Sequence, residues 1–265
     1  MASWATKRRW SYISIISIVI IVLIVIPGFF TFYKAPTCFD GIPNQGEQGV
    51  DCGGPCQVLC QTAFIPAKVI WADSEMVAPG TYNEAAYIEN PNINGAAVDV
   101  PYTFSMFDEQ GVLISNNSGT VTIPANRNTL AFVGSVKTGT RVPAKNGVTF
   151  KFNTPPKWVK AYDTLGDIVI KTPTFHANSD PALGDVGTTL QAPIGNNNLK
   201  PYNNVTVFAV LLDNNGNHVG FSKTLIDTIP PGGQVIAPFT WPYSFAGNAV
   251  AEEILPVIDP VFSTQ

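Results

Sequence analysis

The sequence predicts an all-β protein, with two tandem β-sandwich domains behind one N-terminal transmembrane helix and a short disulfide-rich segment. Three observations predict this organisation. A charge-free apolar run follows a basic cluster near the N-terminus, all four cysteines lie shortly after that run, and the remaining chain alternates short apolar strands with turn signals. Gly and Pro number 22 each and only 13% of residues are charged, which is typical of turn-rich β structure.

The N-terminal helix is predicted from an uncharged run of 24 residues, from Trp10 to Tyr33. At about 1.5 Å per helical residue this run reaches roughly 36 Å, which is enough to cross a hydrocarbon core of about 30 Å. The basic residues Lys7, Arg8 and Arg9 precede it, and such residues favour the cytoplasmic side. We therefore expect residues 1–9 in the cytoplasm, residues 10–33 in the lipid bilayer and residues 34–265 outside.

A cleaved secretory signal is the alternative interpretation of this run. Such signals have apolar stretches of only about 7–15 residues and end at a small-x-small cleavage site. Here the apolar run is longer and lacks an A-x-A pattern. These features favour an uncleaved signal anchor.

The four cysteines, Cys38, Cys52, Cys56 and Cys60, predict two disulfides in an oxidising exterior. Three connectivities are possible. A segment this short cannot build an apolar core, so cross-links would hold its shape. A zinc or iron–sulfur site is the alternative, although the C-x13-C-x3-C-x3-C spacing lacks the usual C-x2-C pairs.

Acidic and amide side chains lie among these cysteines and raise the question of calcium. Asp40, Asn44, Glu47 and Asp51 carry the hard oxygen ligands that calcium selects, but they lack the regular spacing of an EF-hand loop. Acidic residues in turns explain the pattern without an ion, so we expect no metal or other cofactor. From Cys38 to Cys56 the sequence resembles a small cysteine-rich module of secreted and surface-anchored proteins. This resemblance implies an extracellular stalk, over residues 34–62.

The rest of the chain contains two copies of one pattern, which predicts sandwiches over residues 63–153 and 154–265. In each copy a strand of alternating apolar residues ends at an Asp-x-x-Gly sequence, and the two copies lie 105 positions apart. Asp can accept hydrogen bonds from the turn backbone and Gly can adopt a positive φ, so each sequence predicts a hairpin. The residues that carry the repeat are Phe104, Met106, Phe107, Asp108 and Gly111 in the first copy and Ala209, Leu211, Leu212, Asp213 and Gly216 in the second.

Further strands are predicted around each hairpin. Short strands about ten residues apart, with turn signals between them, indicate a β-sandwich. The predicted strands are 67–71, 82–89 and 129–133 in the first copy, and 158–162, 167–175 and 234–241 in the second.

The end of the first hairpin strand, Phe104 to Asp108, resembles the strand-end motif of the FxLYD family of extracytoplasmic domains, with conservative changes at two positions. The second copy, Ala209 to Asp213, departs further, because Ala replaces Phe and Leu replaces Tyr. The resemblance implies tandem Ig-like domains in anchored surface proteins. It implies no catalytic residue.

A search for catalytic chemistry finds no established motif. His176 and His218 belong to no metal-ligand pair, and no nucleophile elbow or phosphate-binding loop occurs. Carboxylate pairs for glycoside cleavage would have to be assembled across a cleft, which strand spacing does not reveal. The candidates are Asp73, Glu75 and Glu84, or Asp163, Asp167, Asp180 and Asp185. We expect no enzymatic activity.

Charge excludes nucleic acid as a partner, because the net charge is −4 and no basic patch occurs beyond the N-terminus. We predict a single-pass, membrane-anchored surface protein with a binding or structural role, whose partner is a protein or a surface polymer. An accessory subunit of a membrane or envelope assembly is one alternative. A secreted-side hydrolase is the other.

Overall fold

A computed structural model of the chain describes residues 3–32, 36–163, 165–177, 187–241 and 249–258, with only the backbone for 30–32, 176 and 177. The chain divides into two compact units, Met1–Gln57 and Val58–Gln265. The first unit contains the N-terminal helix and most of the cysteine-rich segment. The second unit contains every strand of the described residues.

The N-terminal helix, α1, spans Trp4–Phe32. It begins six residues before the predicted start at residue 10, so Lys7, Arg8 and Arg9 lie within it. Lys and Arg are good helix formers, which explains the extension. Among the described residues α1 is the one helix long and apolar enough to cross a membrane, with a mean hydropathy of 2.8 over an 18-residue window within Trp4–Phe29. A signal sequence would have the same properties, and Tyr33, the predicted end of the span, lies outside the described residues.

The second unit begins with a short 3₁₀ helix and then consists of strands. In chain order these are the 3₁₀ helix Gln61–Ala63 and the strands β1 (Lys68–Ala78), β2 (Thr81–Glu89), β3 (Gly95–Phe107), β4 (Leu113–Ile123), β5 (Asn128–Lys137), β6 (Val148–Phe152), β7 (Val159–Lys160), β8 (Ile168–Ile170), β9 (Thr174–Ala177), β10 (Thr188–Asn196), β11 (Tyr202–Leu212), β12 (His218–Ile229), β13 (Gln234–Trp241) and β14 (Ala251–Val257). All of their pairings are antiparallel, which confirms the all-β prediction.

The first sandwich packs the sheet β1-β2-β5 against the sheet β4-β3-β6. Alternate residues of β3 point into the space between the sheets, as a strand with one face on a core requires. Phe104 and Met106 are fully buried there and pack with Ile88 and Ile123. This apolar core holds the two sheets together.

The second sandwich packs the sheet β13-β10-β8 against the sheet β12-β11-β14, and β9 also pairs with β10. Its core contains Leu190, Val207, Leu211 and Trp241. The two sandwiches have matching strand orders, since β5-β2-β1 corresponds to β13-β10-β8 and β4-β3-β6 corresponds to β12-β11-β14.

The first core extends beyond residue 153, the predicted end of the first sandwich. Trp158 is buried in that core, and β7 pairs with β3. The segment 158–162, predicted to be a strand of the second sandwich, therefore belongs to the first. Leu59 also packs on this core and its backbone N–H donates to the Trp158 carbonyl at 3.0 Å. The sandwich unit thus includes residues that were predicted to form the end of the stalk.

The predicted strand 167–175 is interrupted. The structure has β8 and β9 in its place, separated by a segment that contains Pro173. Proline has no backbone N–H to donate to a neighbouring strand, which explains the break.

A third apolar core joins the two sandwiches. It lies between the sheet β1-β2-β5 of the first and the sheet β12-β11-β14 of the second. The sandwich unit therefore contains four stacked sheets, and each of its two central sheets contributes side chains to two apolar cores.

Candidate functional site

The interface between the sandwiches is built from strands that are apolar on both faces. In β11, Val207 and Leu211 point into the second core, while Phe208 and Val210 point towards the first sandwich. A strand buried on both faces is expected to show a continuous apolar run instead of an alternating one. The run from Val207 to Leu212 was the sequence signal for this interface, and the alternating interpretation of β11 missed it.

Aromatic rings fill the centre of the interface. Phe132 of β5 lies 6.3 Å from Phe221 and 6.5 Å from Phe208, measured between ring centroids. Contacts of this kind contribute about 0.5–1.5 kcal/mol beyond the area they bury. The sandwiches therefore meet through a packed apolar centre.

A group of polar side chains, which we call the polar interlock, lies where β1 meets β12. It consists of Trp71, Asp73, Glu75 and His218. His218 Nε2 lies 2.9 Å from Asp73 Oδ2, and the His218 ring stacks on Trp71 with 4.1 Å between centroids. The Phe221 backbone N–H donates to Glu75 Oε2 at 2.8 Å. The edge strands of two different sheets are thus linked through side chains.

Burial dominates the electrostatics of Glu75. Desolvation raises its pKa from 4.5 to about 8, opposed by the hydrogen bond from the Phe221 N–H and assisted by the nearby negative charge of Asp73. Glu75 is therefore protonated at neutral pH. The contact between His218 and Asp73 was not predicted, because the two residues lie 145 positions apart in the sequence.

A second polar contact crosses the same interface. The Tyr87 hydroxyl donates to Glu253 Oε1 at 2.7 Å, and the Asn128 side-chain amide donates to the Tyr87 oxygen at 2.7 Å. Burial and the neighbouring Glu253 carboxylate raise the pKa of Tyr87. The phenol accordingly stays protonated and donates.

A small cleft opens where β4 and β5 of the first sandwich meet β11 and β12 of the second. We call it the interface cleft, and its volume is about 160 Å³. Its polar lining comes from Thr120, Thr122, Thr129, Asn204, Thr206 and Lys223. The rings of Tyr102, Phe132 and Phe208 supply apolar surface.

Tyr102 fixes one wall of the cleft. Its hydroxyl donates to the Phe132 carbonyl at 3.0 Å, and burial raises its pKa. Gly119 makes room for that hydroxyl, since a Cβ at position 119 would lie 2.6 Å from the Tyr102 oxygen. The side chain of Tyr102 therefore bridges both sheets of the first sandwich.

All four predicted disulfide cysteines are oxidised. Cys38 is bonded to Cys56, while Cys52 and Cys60 are also disulfide-bonded, which makes two disulfides. Cys38 and Cys56 also lie near Glu47, in an arrangement of metal-ligand type. Sulfur in a disulfide is no thiolate, so the predicted alternative of a four-cysteine metal site does not fit these residues.

The four candidate calcium ligands make hydrogen bonds within the cysteine-rich loop. Asp40 accepts from the Ile42 N–H and from the Asn44 amide, both at 2.9 Å. Asp51 accepts from the Gly41 N–H, and Glu47 accepts from the Asp51 N–H at 3.1 Å. These hydrogen bonds to backbone and amide groups stabilise the loop.

The repeat residues form matching turns. Asp108 Oδ1 accepts from the Val112 N–H and Asp213 Oδ1 accepts from the Asn217 N–H, each at 2.8 Å. Gly111 and Gly216 have φ values of 73° and 77°, as the predicted turn chemistry requires. Arg141 lowers the pKa of Asp108, and the Asn217 side chain lowers that of Asp213. Both predicted hairpins are present.

The other repeat residues lie on the faces of these hairpin strands. Phe104, Met106, Ala209 and Leu211 are fully buried in the two cores. Phe107 is half-buried, and Leu212 packs against the interface core. These positions support packing and contribute no reactive group.

Two buried asparagines form a further match between the two sandwiches, which was not predicted. Asn90 donates to the carbonyls of Gly95 and Pro124, at 2.8 and 2.6 Å. Asn196 donates to the carbonyls of Lys200 and Ile229, at 2.9 and 3.1 Å. The sequence signal for this match was an Asn-x-Asn pattern that occurs twice, with the two copies 106 positions apart.

The remaining candidate catalytic residues have separate environments. Asp163 accepts from Arg127 at 2.7 Å, and Asp167 accepts from Asn198 at 2.8 Å. Glu84 is fully buried in the first sandwich, where burial raises its pKa to about 7. Asp180, Asp185 and the side chain of His176 lie outside the described residues.

Comparison with known proteins reveals no family. No protein-family model matches the chain, and no curated protein matches it. A beta-glucuronidase from glycoside hydrolase family 2 is 12% identical with a TM-score of 0.23, over 79% of this chain and 25% of that chain. The transglutaminase of red sea bream is 12% identical with a TM-score of 0.20, over 72% and 32%. The chain spans about a third or less of these proteins, and TM-scores below 0.5 carry no argument about function.

Proposed function

We propose that this protein is anchored in a membrane by α1 and displays its two sandwiches outside the cytoplasm, where they have a binding or structural role at the cell surface. Residues 1–9 would remain in the cytoplasm. The partner would be a protein or a surface polymer. No enzymatic turnover is part of this proposal.

One observation carries the proposal, namely the disulfide between Cys38 and Cys56, which begins six residues after α1 ends. Disulfides persist in oxidising compartments. The chain that follows α1 would therefore lie on the oxidising side, and the basic residues before the apolar segment would lie on the other.

The locations of the candidate hydrolase carboxylates support a non-enzymatic role. Asp163 is paired with Arg127, and Glu84 is buried in the first sandwich, where it accepts from the Asn117 amide at 2.9 Å. Asp73 lies at the interface with His218, where it serves to join two strands. Turnover of a glycoside by the purified protein, abolished by Asp73→Asn, would contradict this part of the proposal.

We also infer that the two sandwiches are copies of one ancestral, FxLYD-like Ig-like domain. The identical strand order, the matching Asp-x-x-Gly turns and the paired buried asparagines support this inference.

Labelling of single cysteines on intact cells tests the topology. Ser3→Cys places a thiol before α1, whereas Thr149→Cys places one on the exposed side of β6. All native cysteines are in disulfides, so they do not compete for a maleimide. We expect a membrane-impermeant maleimide to label Thr149→Cys on intact cells and Ser3→Cys only after permeabilisation.

The same samples distinguish an anchor from a cleaved signal. An anchored chain keeps its full mass and sediments with membranes. Release of a shorter protein lacking residues 1–33, or labelling of both variants only after permeabilisation, would overturn the proposal.

A further inference from the structure

We propose that the first turns of α1 bind the headgroups of anionic phospholipids in preference to zwitterionic ones. The site, which we call the basic collar, consists of Lys7, Arg8, Arg9, Trp4, Trp10 and Tyr12. This inference rests on the proposed anchoring by α1. It adds the class of lipid that surrounds the basic end of the anchor.

The three cations of the basic collar have no acidic partner within the protein. None of the ion pairs among the described residues includes Lys7, Arg8 or Arg9. The first acidic residue of the whole sequence is Asp40. A Lys or Arg beside a membrane strengthens the attraction of anionic headgroups by roughly fivefold per charge. The charge of the collar therefore favours anionic lipid.

Aromatic side chains hold Arg8 in place without neutralising it. Arg8 Nε donates to the Tyr12 hydroxyl at 3.1 Å. The guanidinium carbon lies 5.2 Å from the centroid of the Trp4 ring and 5.8 Å from that of the Tyr12 ring. Cation–π contacts leave the positive charge intact, and the terminal nitrogens of the guanidinium supply the donors that suit a phosphate. Arg8 is thus positioned as a phosphate ligand.

The length of α1 places the basic collar at the depth of the headgroups. From Ile13, where the apolar segment begins, to Phe32 the helix measures about 28 Å, which matches a hydrocarbon core of about 30 Å. Lys7 and Arg9 then lie about 9 and 6 Å beyond Ile13 along the axis. The headgroup layer is about 5–8 Å thick on each side, so the long side chains of the cations reach its phosphates.

The charges of the basic collar point in different directions around the helix. Successive residues of an α-helix are about 100° apart, so three consecutive cations cannot share one face. By the same geometry Trp10 and Tyr12 lie on nearly opposite sides, and their side chains are 65% and 53% exposed. A protein partner would cover one side of the helix, whereas lipid headgroups surround it. The arrangement therefore fits a lipid layer.

Quenching of tryptophan fluorescence by brominated lipids tests the proposal, with the full chain reconstituted in phosphatidylcholine vesicles. Trp4 and Trp10 report on the collar, while Trp71, Trp158 and Trp241 belong to the sandwich unit and give a constant background. In 0.1 M salt we expect brominated phosphatidylglycerol to bind beside the collar about three- to fivefold more tightly than brominated phosphatidylcholine. In 1 M salt, where the Debye length is about 3 Å, the ratio should approach one.

A charge-removing variant and a matched control assign the effect to the basic collar. Replacing all three cations of the collar with Gln should abolish the preference, so that both brominated lipids quench equally. The control combines Lys145→Gln, Lys151→Gln and Lys157→Gln, which removes the same charge from exposed positions of the sandwich unit. It should keep the wild-type preference.

Flotation of the vesicles separates this inference from the anchor itself. If the wild-type chain does not float with the vesicles, the proposed anchoring fails, and this inference fails with it. If the chain floats but the two brominated lipids quench equally, the anchoring stands and the basic collar does not select anionic lipid. A preference that persists in a floating collar variant, that resists 1 M salt or that disappears in the control would overturn the inference as well.

Discussion

His218 Nε2 lies 2.9 Å from Asp73 Oδ2, although 145 positions of sequence separate the two residues. His218 occupies the start of β12 in the second sandwich, and Asp73 occupies β1 in the first. The contact therefore reports directly on whether the two sandwiches are packed together.

Replacing His218 with Ala should weaken that packing. The change removes the contact with Asp73 and the stacking on Trp71. The side chains of His218 and Asp73 are both partly exposed, which limits the loss. We expect a loss of about 1–2 kcal/mol in the free energy of unfolding, measured with denaturant. Asp227→Asn, an exposed change on the same strand, serves as the control. An unchanged free energy in His218→Ala would contradict a role for the interlock.

Glu75 should make stability depend on pH. Its pKa is about 8 in the folded protein and 4.5 without the fold, so between these values the folded state holds more protons than the unfolded state. Stability is therefore fully present below about pH 4.5 and falls as the pH rises through 8, by an amount on the order of a few kcal/mol.

Glu75→Gln, which keeps an acceptor for the Phe221 N–H but cannot ionise, should make this dependence shallower and leave the part that comes from buried Glu84, whose pKa is also raised, to about 7. Thermal unfolding measured at pH values from 5 to about 9 checks the result. Exposed Glu89→Gln is the matched control and should retain the wild-type slope. Equal slopes in both variants would show that Glu75 does not titrate in this range.

Gly119→Ala should disturb the wall of the interface cleft. The added Cβ would lie 2.6 Å from the Tyr102 oxygen and would displace the hydroxyl from the Phe132 carbonyl. We expect a destabilisation of about 1–3 kcal/mol by thermal or chemical unfolding. Gly166→Ala is the control, because a Cβ there meets nothing within 4 Å.

A second variant tests the cause of that loss. Tyr102→Phe removes the hydroxyl that the new methyl would meet. Combining it with Gly119→Ala should therefore cost less than the sum of the two single changes. Simple additivity of the two effects would argue that the steric contact is not responsible.

Asn90→Ala should destabilise the first sandwich by roughly 2 kcal/mol, since it leaves the carbonyls of Gly95 and Pro124 without their buried donor. Asn196→Ala should have a similar effect in the second sandwich. Asn153→Ala, an exposed change, provides the control. Native-state hydrogen exchange would show in which sandwich each variant opens.

Removing Cys38 and Cys56 together by substitution with Ser should loosen the cysteine-rich segment. A cross-link that spans 18 positions contributes about 3 kcal/mol in the chain-entropy account. Leu59, which packs on the first core, lies outside the stretch that this disulfide closes, so the unfolding temperature of the sandwiches should change little. Limited proteolysis of residues 36–57 measures the effect, and unaltered cleavage would contradict it.

Several features were predictable because the interactions behind them are local. The strand Gln234–Trp241 has the bounds that its alternating residues predicted. The turns at Asp108 and Asp213 depend on side chains bonding to backbone a few positions away. The oxidation of the cysteines was predictable from their number and their position after α1. The partner of Cys38 was not predictable, because three connectivities were possible.

Other features depended on contacts between distant strands. Trp158 was assigned to the second sandwich because it follows the predicted border, yet it completes the core of the first. The interface cleft has no sequence signature, since its walls come from β4, β5, β11 and β12. Thr129 and Lys223 resemble ordinary strand residues until those strands meet.

Taken alone, the sequence determined the apolar N-terminal helix, the paired thiols and the β-rich, twofold pattern, because hydropathy, spacing and turn chemistry act over short stretches of chain. Only the tertiary structure decided which faces of the sheets are buried against each other, and with that the partners of His218, the protonation of Glu75 and the lining of the cleft. Those properties arise from desolvation and side-chain approach between strands whose contacting residues lie up to 166 positions apart, and a linear pattern does not encode these distances.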